Sequence, residues 1–495
     1  MKPDAVFIGV DAGTTKIKAS IYDLKLREIG SAEKDVMIYS PTSGASEIDM
    51  DELWGDFCEV LANLKLSCNQ VWDKIAGIGI SGQGDGLWPI GKDGRPVRCA
   101  MLWNDTRSKE LLIENISGLE DLLKRECANT IFAGSMPALQ KWLKRNEPDT
   151  YKAIGTSLHC KDWLNYNLTD QIVSDYSDIT CSSGMNMKTL AYVPEIFELL
   201  DIKEALDTMP KAVEPTDVIG EVTEQAAAAT GLPRGIPVIA GCLDCCAASV
   251  GADFYSAGEA FTIIGTAMIN EVCLSYDEIN PKDLRGLLLY HVVKGRYIKI
   301  MNTANGASSI DAIKNLLCPG EAFDDMFEKL DSVPIGSNGV MFHPYLYGER
   351  APFKNPFAFA SFFGMRSHHT RYDLMRAAYE GLAMSFYDCY QDVKGIKTLY
   401  LSGGVSKSSM ICQMFCDVIG IPVKRQTNDE LGTLGIIKML QVALGYAKEY
   451  ESLITDSYVA YFPDMERHRQ YKEVYRQFVE YRKSISPHWV SHGKS

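Results

Sequence analysis

AVFIGVDAGTTKIKASIYD, residues 5–23, places a Gly-Thr-Thr turn between two apolar runs, with an acidic residue closing the first. Val6, Phe7, Ile8 and Val10 read as a buried strand, Gly13 permits a tight turn, and Ile17, Ala19 and Ile21 alternate outward again. The pattern predicts a β-hairpin that presents its turn to a phosphate. Backbone N–H groups around Gly13 and the hydroxyls of Thr14 and Thr15 can donate to phosphate oxygens, Asp11 can hold a hydrated Mg²⁺, and Lys18 adds positive charge. An ordinary hairpin with an Asp-Gly type turn would use the same residues, so this stretch alone leaves both readings open.

A weak echo lies about 250 residues further on. EAFTIIGTAMINEVCL (259–274) again sets a turn, Gly265-Thr266, between two apolar runs. Two such hairpins are what a duplicated fold would show if each half contributed one loop to a shared phosphate site. The boundary falls near residues 245–258, which divides the chain into domains of 1–250 and 251–495. A length of 495 residues suits two or three domains of ordinary size rather than one core.

Composition narrows the function classes. Hydrophobic residues at 46% and charged residues at 23% are globular values. No stretch approaches the roughly 18 uninterrupted apolar residues of a membrane span. A net charge of −14 argues against nucleic-acid and anionic-membrane partners, which demand a basic surface. The N-terminus lacks signal-peptide organisation, and 14 irregularly spaced cysteines fit thiols kept reduced in a cytoplasm. Cys242, Cys245 and Cys246 have no second CxxC to complete a zinc site, so they read as small buried thiols, as do Cys412 and Cys416.

GIPVIAGCLDCCAASVGA (235–252) reads as strand, glycine turn, and a helix that begins at Asp244. An aspartate there is expected to act as N-cap, and the helix start favours its ionised form. Residues 333–353 are rich in Gly and Pro and read as loop and turn; 371–393 read as a long amphipathic helix. Residues 396–426 read as strand, Ser-Gly-Gly turn, helix and strand, a place where a nucleotide can approach backbone. The stretch from Ser452 reads as a peripheral helix. GIGISG (77–82) matches the dinucleotide pattern GxGxxG, but its glycines fall inside an apparent strand and QGDGLWPIG cannot open a helix after it. No GxxxxGK[ST] loop occurs.

Over roughly residues 5–450 the chain resembles the FGGY carbohydrate kinases of the actin, hexokinase and heat-shock-chaperone superfold. DAGTTKIK resembles that family's first phosphate motif, IGTAM its second, and GCLD its catalytic-aspartate motif. NTANGASSI (302–310) and LSGGVSKS (401–408) resemble its adenosine-side segments, and ASFFGMRSHHTRYDLMRAAYE (360–380) follows the spacing of its second signature. The resemblance implies an α/β, two-lobed, ribonuclease H-like duplicated fold with an interlobe cleft that closes over its substrates. It implies ATP and Mg²⁺ as cofactors and a small sugar or polyol as partner, and a homodimer is common among such kinases.

By that resemblance Asp244 is the general base and Asp11 organises Mg²⁺. Thr14, Thr15, Lys18, Gly265 and Thr266 cradle phosphates, while Gly306, Gly403, Gly404 and Ser408 face adenosine, Ser408 standing where the family often has Asn. SGQGDGLW (81–88) and LWNDTRS (102–108) align with polyol-pocket segments, which assigns Gln83, Asp85, Trp103 and Asp105 to substrate, with Arg107 pairing Asp105. As a turn former between glycines, Asp85 has an equally good structural reading. The GQGDG form looks closest to L-xylulose and tetritol kinases. Alternatives within the class are D-xylulose, erythritol and glycerol kinases; from another class, a chaperone-like or regulatory ATPase of the same superfold, or a silent sugar-binding relative.

Overall fold

The computed structural model describes residues 2–112, 116–455 and 457–490, which divide into two compact units. The first contains the chain up to Tyr255 together with Ser275–Ile298 and Glu430–Thr455; the second contains Ser256–Leu274, Lys299–Asp429 and the chain beyond residue 456. The division is thus not one cut in the sequence, because two later segments return to the first unit.

The first unit is built on a sheet of β1 (Val6–Ala12), β2 (Lys16–Asp23), β3 (Glu28–Asp35), β4 (Ile75–Gly82), β5 (Val218–Glu221), β6 (Pro237–Ile239) and β7 (Cys242–Leu243). Its order is β5-β6-β4-β1-β2-β3, with β7 also paired to β4. The opening stretch forms the expected antiparallel hairpin, β1 on β2, and β1 runs parallel to β4. Ile17, Ala19 and Ile21 do not face outward, however; all three are fully buried. The helix Met50–Cys68 covers that face with Leu53, Phe57, Leu61 and Leu64 in the same apolar cluster. That helix starts where the Asp49 carboxylate accepts the N–H groups of Asp51 and Glu52 at 2.9 and 3.0 Å.

The helix Leu431–Ala443 lies against the other face of β1 and β4, and glycine makes room for it. Gly9 and Gly79 are register partners. A Cβ on Gly9 would sit 2.6 Å from the Thr433 carbonyl oxygen, and one on Gly79 2.8 Å from Ile436 Cγ2. Gly77 and Gly79 of GIGISG therefore seat a helix on a strand, while Gly82 makes room for Lys161, and none of the three forms a dinucleotide turn.

In the second unit β8 (Glu259–Ile264), β9 (Met268–Ser275), β10 (Arg296–Asn302), β11 (Thr398–Ser402), β12 (Val423–Gln426) and β13 (Tyr458–Tyr461) run in the order β10-β9-β8-β11-β12-β13. β8 is antiparallel to β9 and parallel to β11, β11 is parallel to β12, and β12 is antiparallel to β13. This repeats the pairing of the first unit strand for strand, so the faint echo of residues 5–23 in 259–274 marks a duplicated α/β topology.

The helix Arg371–Tyr390 begins at a capping box in which the Thr370 N–H and hydroxyl both reach Asp373 Oδ2 at 2.7 Å. It is buried along most of its length in the second unit's core, where Phe478 of the C-terminal helix Met465–Ile485 also packs. The stretch 333–353 is not wholly loop: Met341–His343 pairs antiparallel with Ser361–Phe363, and the successive apolar residues Val340, Met341 and Phe342 all reach the same core. Of the CxxCC cluster, Cys242 and Cys246 are buried and Cys245 is half-buried. Among the described residues no helix is long and apolar enough to cross a membrane.

Candidate active site

Three strand ends of the first unit deliver its polar groups. Asp11 on β1 is in register with Ser81 on β4, and Ser81 with Cys242 on β7. The residues just past these ends, Gln83, Asp85 and Asp244, therefore emerge together at the carboxyl edge of a parallel sheet, where α/β proteins place ligands. The Ser81 hydroxyl donates to Asp11 Oδ1 at 2.9 Å and orients the carboxylate. The Gln83 N–H donates to the Ala12 carbonyl at 2.9 Å, which ties the first phosphate-type turn to the β4 exit.

Asp244 is not the N-cap of its helix. Leu243, leaving β7 in an extended conformation, holds that position, and Asp244 is the first helical residue. Its Oδ1 accepts the Cys245 N–H at 2.6 Å. Burial, with repulsion from Asp11, pushes the Asp244 carboxyl up to about 7. Burial also raises Asp11, against the opposing hydrogen bond from Ser81. Asp11 and Asp244, the charge of the second opposed by the first, offer carboxylate oxygens of the kind a hard divalent cation prefers.

The turn residues divide. Thr15 is exposed. The Thr14 hydroxyl donates to Gln83 Oε1 at 3.2 Å and accepts from Trp103 Nε1 at 3.1 Å, so it couples the turn to the proposed sugar side. Lys18 pairs with Glu430 at 2.6 Å, and that partner was invisible as a neighbour because it lies over 400 positions away in sequence.

Asp85 is buried between two glycines at a positive φ of 56°, Gly84 being required where a Cβ would meet Leu243 Cδ1 at 2.1 Å. Asp85 Oδ1 accepts the Met136 N–H at 2.8 Å and the Ser182 hydroxyl at 2.9 Å. Burial pushes its carboxyl up to about 7. Among the described residues Asp85 Oδ2 and Gln83 Nε2 are buried with no hydrogen-bond partner, an acceptor and a donor left for something else to satisfy. Trp103, 39% exposed, supplies an apolar surface nearby through its bond to Thr14.

Asp105 differs from expectation. It is fully buried and its carboxylate is consumed: Oδ1 accepts the Arg107 N–H at 2.9 Å, while Oδ2 accepts the Ser46 N–H at 3.1 Å and an Arg107 guanidinium N–H at 2.7 Å. Arg107 also reaches Glu47 at 2.6 Å. Asp105 thus braces the Trp103 loop and has no oxygen to spare for a sugar.

Sequence reasoning missed the layer behind the pocket. Lys161, fully buried, contacts Asp162 at 2.6 Å and Asp175 and Asp178 each at 2.8 Å. His159, Asp162 and Asp178 are close enough to hold a metal ion, but the Lys161 ammonium already supplies the cation these carboxylates need. The available signal was charge within an apolar run: Lys161 and Asp162 sit between Cys160 and Trp163, where a solvated helix face would not place them.

In the second unit, Gly265 and Thr266 form the turn between β8 and β9. The Ala307 N–H donates to the Gly265 carbonyl at 2.7 Å and the Ser308 hydroxyl to the Thr266 carbonyl at 2.7 Å. A Cβ on Gly306 would lie 2.6 Å from the Gly265 oxygen, and one on Gly403, at φ 98°, 2.3 Å from the Ile264 oxygen. These glycines are close-approach positions for backbone as well as candidate ligand contacts. Gly404 faces open space, and Ser408 caps the helix Ser409–Ile419 without a side-chain bond. Ser408 lines a groove of about 680 Å³ with Phe327, Glu328, Lys407 and Tyr461. Glu349 fixes the loop before Gly306, accepting the Ala304 N–H at 2.7 Å.

Residues 6–251 match the N-terminal domain of the FGGY family of carbohydrate kinases and residues 298–444 its C-terminal domain. The chain is 27% identical over 483 residues to a probable L-xylulose kinase of Haemophilus influenzae, covering 96% of this chain and 98% of that protein. It is 29% identical over 485 residues to the L-xylulose/3-keto-L-gulonate kinase of Escherichia coli, covering 95% of each. The solved ligand-bound xylulose kinase of Lactobacillus acidophilus shares its fold with a TM-score of 0.91 at 22% identity, over 99% of both chains. The twofold topology, the carboxylates at the sheet's edge and these matches agree: the chain belongs to the FGGY family of carbohydrate kinases.

Proposed function

We propose that the protein transfers the γ-phosphoryl group of ATP to a hydroxyl of a small neutral ketopentose, with L-xylulose the leading candidate and Asp244 as general base. The observation that carries the substrate reading is the buried pair of unmet groups in the first unit. Asp85 Oδ2 can accept from one sugar hydroxyl and Gln83 Nε2 can donate to another. Lys161 and Arg107 are committed to carboxylates, so these cations offer nothing to an acidic sugar. The name of the H. influenzae relative supports the pentose reading, and that of the E. coli relative gives L-xylulose beside 3-keto-L-gulonate, an acid of six carbons.

In the proposed reaction the sugar oxygen attacks the γ-phosphorus in line. A new O–P bond forms, the bond to ADP breaks, and the hydroxyl proton passes to Asp244. A carboxyl held near 7 suits that transfer, since near neutral pH a large fraction of it is ionised and accepts a proton readily. Asp11 would hold Mg²⁺, which when bound neutralises phosphate charge. Ser81 keeps Asp11 oriented, and the backbone around Thr14 would supply hydrogen-bond donors to phosphate oxygens.

A coupled ADP-release assay with Mg²⁺-ATP against ketopentoses, tetritols, glycerol, aldonates and hexuloses tests this. L-xylulose or another ketopentose should give the strongest stimulation; stimulation by an aldonate alone, or by none, contradicts the reading. With the substrate in hand, Asp85→Ala should raise KM for the sugar by about tenfold or more while KM for ATP stays within about twofold. Equal effects on both would place Asp85 outside the sugar pocket.

A further inference from the structure

Asp85 is anchored by a chain of groups that the sugar never needs to touch. Ser182 Oγ lies 2.9 Å from Asp85 Oδ1 on one side and 3.2 Å from His159 Nε2 on the other. On the far side of the ring, Nδ1 lies 3.2 Å from Asp162 Oδ2 and 3.1 Å from Ser174 Oγ. His159, Ser182 and Asp85 are all buried, so no bulk water competes for these bonds. We propose that His159 is a positioning residue for sugar binding: acting through Ser182, it fixes the Asp85 carboxylate so that Oδ2 is presented as an acceptor. This rests on the assignment of Asp85 to the sugar pocket.

Counting protons gives the chain its direction. A serine hydroxyl has one proton to donate. Ser182 spends it on Asp85 Oδ1, so the other contact of Ser182 must be one in which it accepts, and Nε2 must carry a proton. Nδ1 lies within reach of both the Asp162 carboxylate and the Ser174 hydroxyl, so it can donate to the first or accept from the second; donating to Asp162, it makes the ring an imidazolium, with Ser182 between it and Asp85.

The surroundings favour that state. Burial opposes charge on His159, but Asp178 and Asp162 outweigh it and raise the ring above its ordinary value, with Lys161 working against them. Burial likewise opposes charge on Asp162, and Lys161 and His159 overcome it and hold that carboxyl low. After burial, the His159 charge is the leading influence on Asp85, and it favours the ionised form. The thiols of Cys160 and Cys181 are kept protonated by burial and stay out of the exchange. Asp178 and Asp162, themselves tied to Lys161, thus serve as the internal counter-ions that make a charged histidine tolerable behind a neutral-substrate pocket.

Two isosteric replacements separate this role from simple packing. Glutamine at 159 can place its amide nitrogen where Nε2 stands and keep the bond to Ser182; asparagine keeps the Nδ1-like contact with Asp162 and loses Ser182. His159→Asn and Ser182→Ala should each raise KM for the sugar by about 10- to 100-fold, with kcat and KM for ATP within about twofold. His159→Gln should restore KM to within about threefold of wild type. The reverse order, with Asn mild and Gln damaging, would assign His159 to holding Asp162 and overturn the proposal. So would a parallel loss of kcat and both KM values.

Asp85→Asn, measured alongside, separates the two levels. If it leaves KM for the sugar unchanged, the pocket assignment fails. If it raises KM while His159→Asn and Ser182→Ala do not, the pocket stands and the relay is wrong. Should His159→Asn not fold, Ser182→Ala, which removes a single atom, decides the matter alone.

Discussion

Asp244→Asn will lose about 10²- to 10⁴-fold in kcat while KM for sugar and ATP change by less than about threefold. The amide keeps the size of the carboxylate and can still accept the Cys245 N–H, so the helix start survives. What disappears is the proton acceptor. Turnover within about fivefold of wild type would remove Asp244 from its role as base. The same variant carries a stability signature. The Asp244 carboxyl sits at about 7 in the folded chain against an ordinary 3.8, so folding takes up a proton in that window. The associated stability is fully present below the ordinary value and is lost as pH rises toward 7. At about pH 8 the wild type therefore bears a half-buried charge whose cost is at most about 4 kcal/mol. Without Mg²⁺, Asp244→Asn should raise Tm at about pH 8 and give little or no gain at about pH 4. An equal gain at both would show that the charge is not the cause.

Gly435→Ala will destabilise the first unit by about 3 kcal/mol or more. Gly435 lies where the helix Leu431–Ala443 crosses the helix Asp244–Gly251, and its Cβ would stand 1.9 Å from the Ala247 carbonyl oxygen. Gly251 makes the reciprocal contact, 2.0 Å from the Leu431 oxygen. Both obstacles are backbone, which cannot rotate away, so the helices must part and the sheet-facing side chains follow. Since Asp244 opens one of these helices, activity should fall with stability. Gly55→Ala is the matched control: Gly55 lies within the helix Met50–Cys68 and a Cβ there meets nothing within 4 Å. It should stabilise by about 0.5–1 kcal/mol through helix propensity alone. Chemical denaturation of the two variants checks both signs, and a Gly435→Ala midpoint equal to wild type would mean that the crossing is not as tight as described.

What the sequence disclosed was what lies close along it. The β1–β2 hairpin and its counterpart at 259–274 could be read because apolar alternation and a glycine turn are local properties, and the family resemblance supplied roles for residues already picked out by spacing. GIGISG could be rejected on the same local grounds, though not explained, since the Leu431–Ala443 helix that needs Gly77 and Gly79 is some 350 residues away. The partner problem is the same for the site. Nothing beside Asp105 in sequence, apart from Arg107, tells that Ser46 also claims its carboxylate. Nothing in DAGTTK points to Glu430 as the partner of Lys18. Asp244 as helix cap was a reasonable reading of GCLD; it failed by one position because β7 continues through Leu243. The relay of His159, Ser182 and Asp85 joins three segments, each polar residue of which looks unremarkable alone.

Whether this chain phosphorylates a small neutral sugar through Asp244 is decided by mass spectrometry of L-xylulose incubated with Mg²⁺-ATP and either wild type or Asp244→Asn, with ADP measured in the same samples. Wild type should form one sugar phosphate for each ADP, and the variant almost none of either. ADP formed without sugar phosphate, or equal product from both proteins, would overturn the proposed reaction.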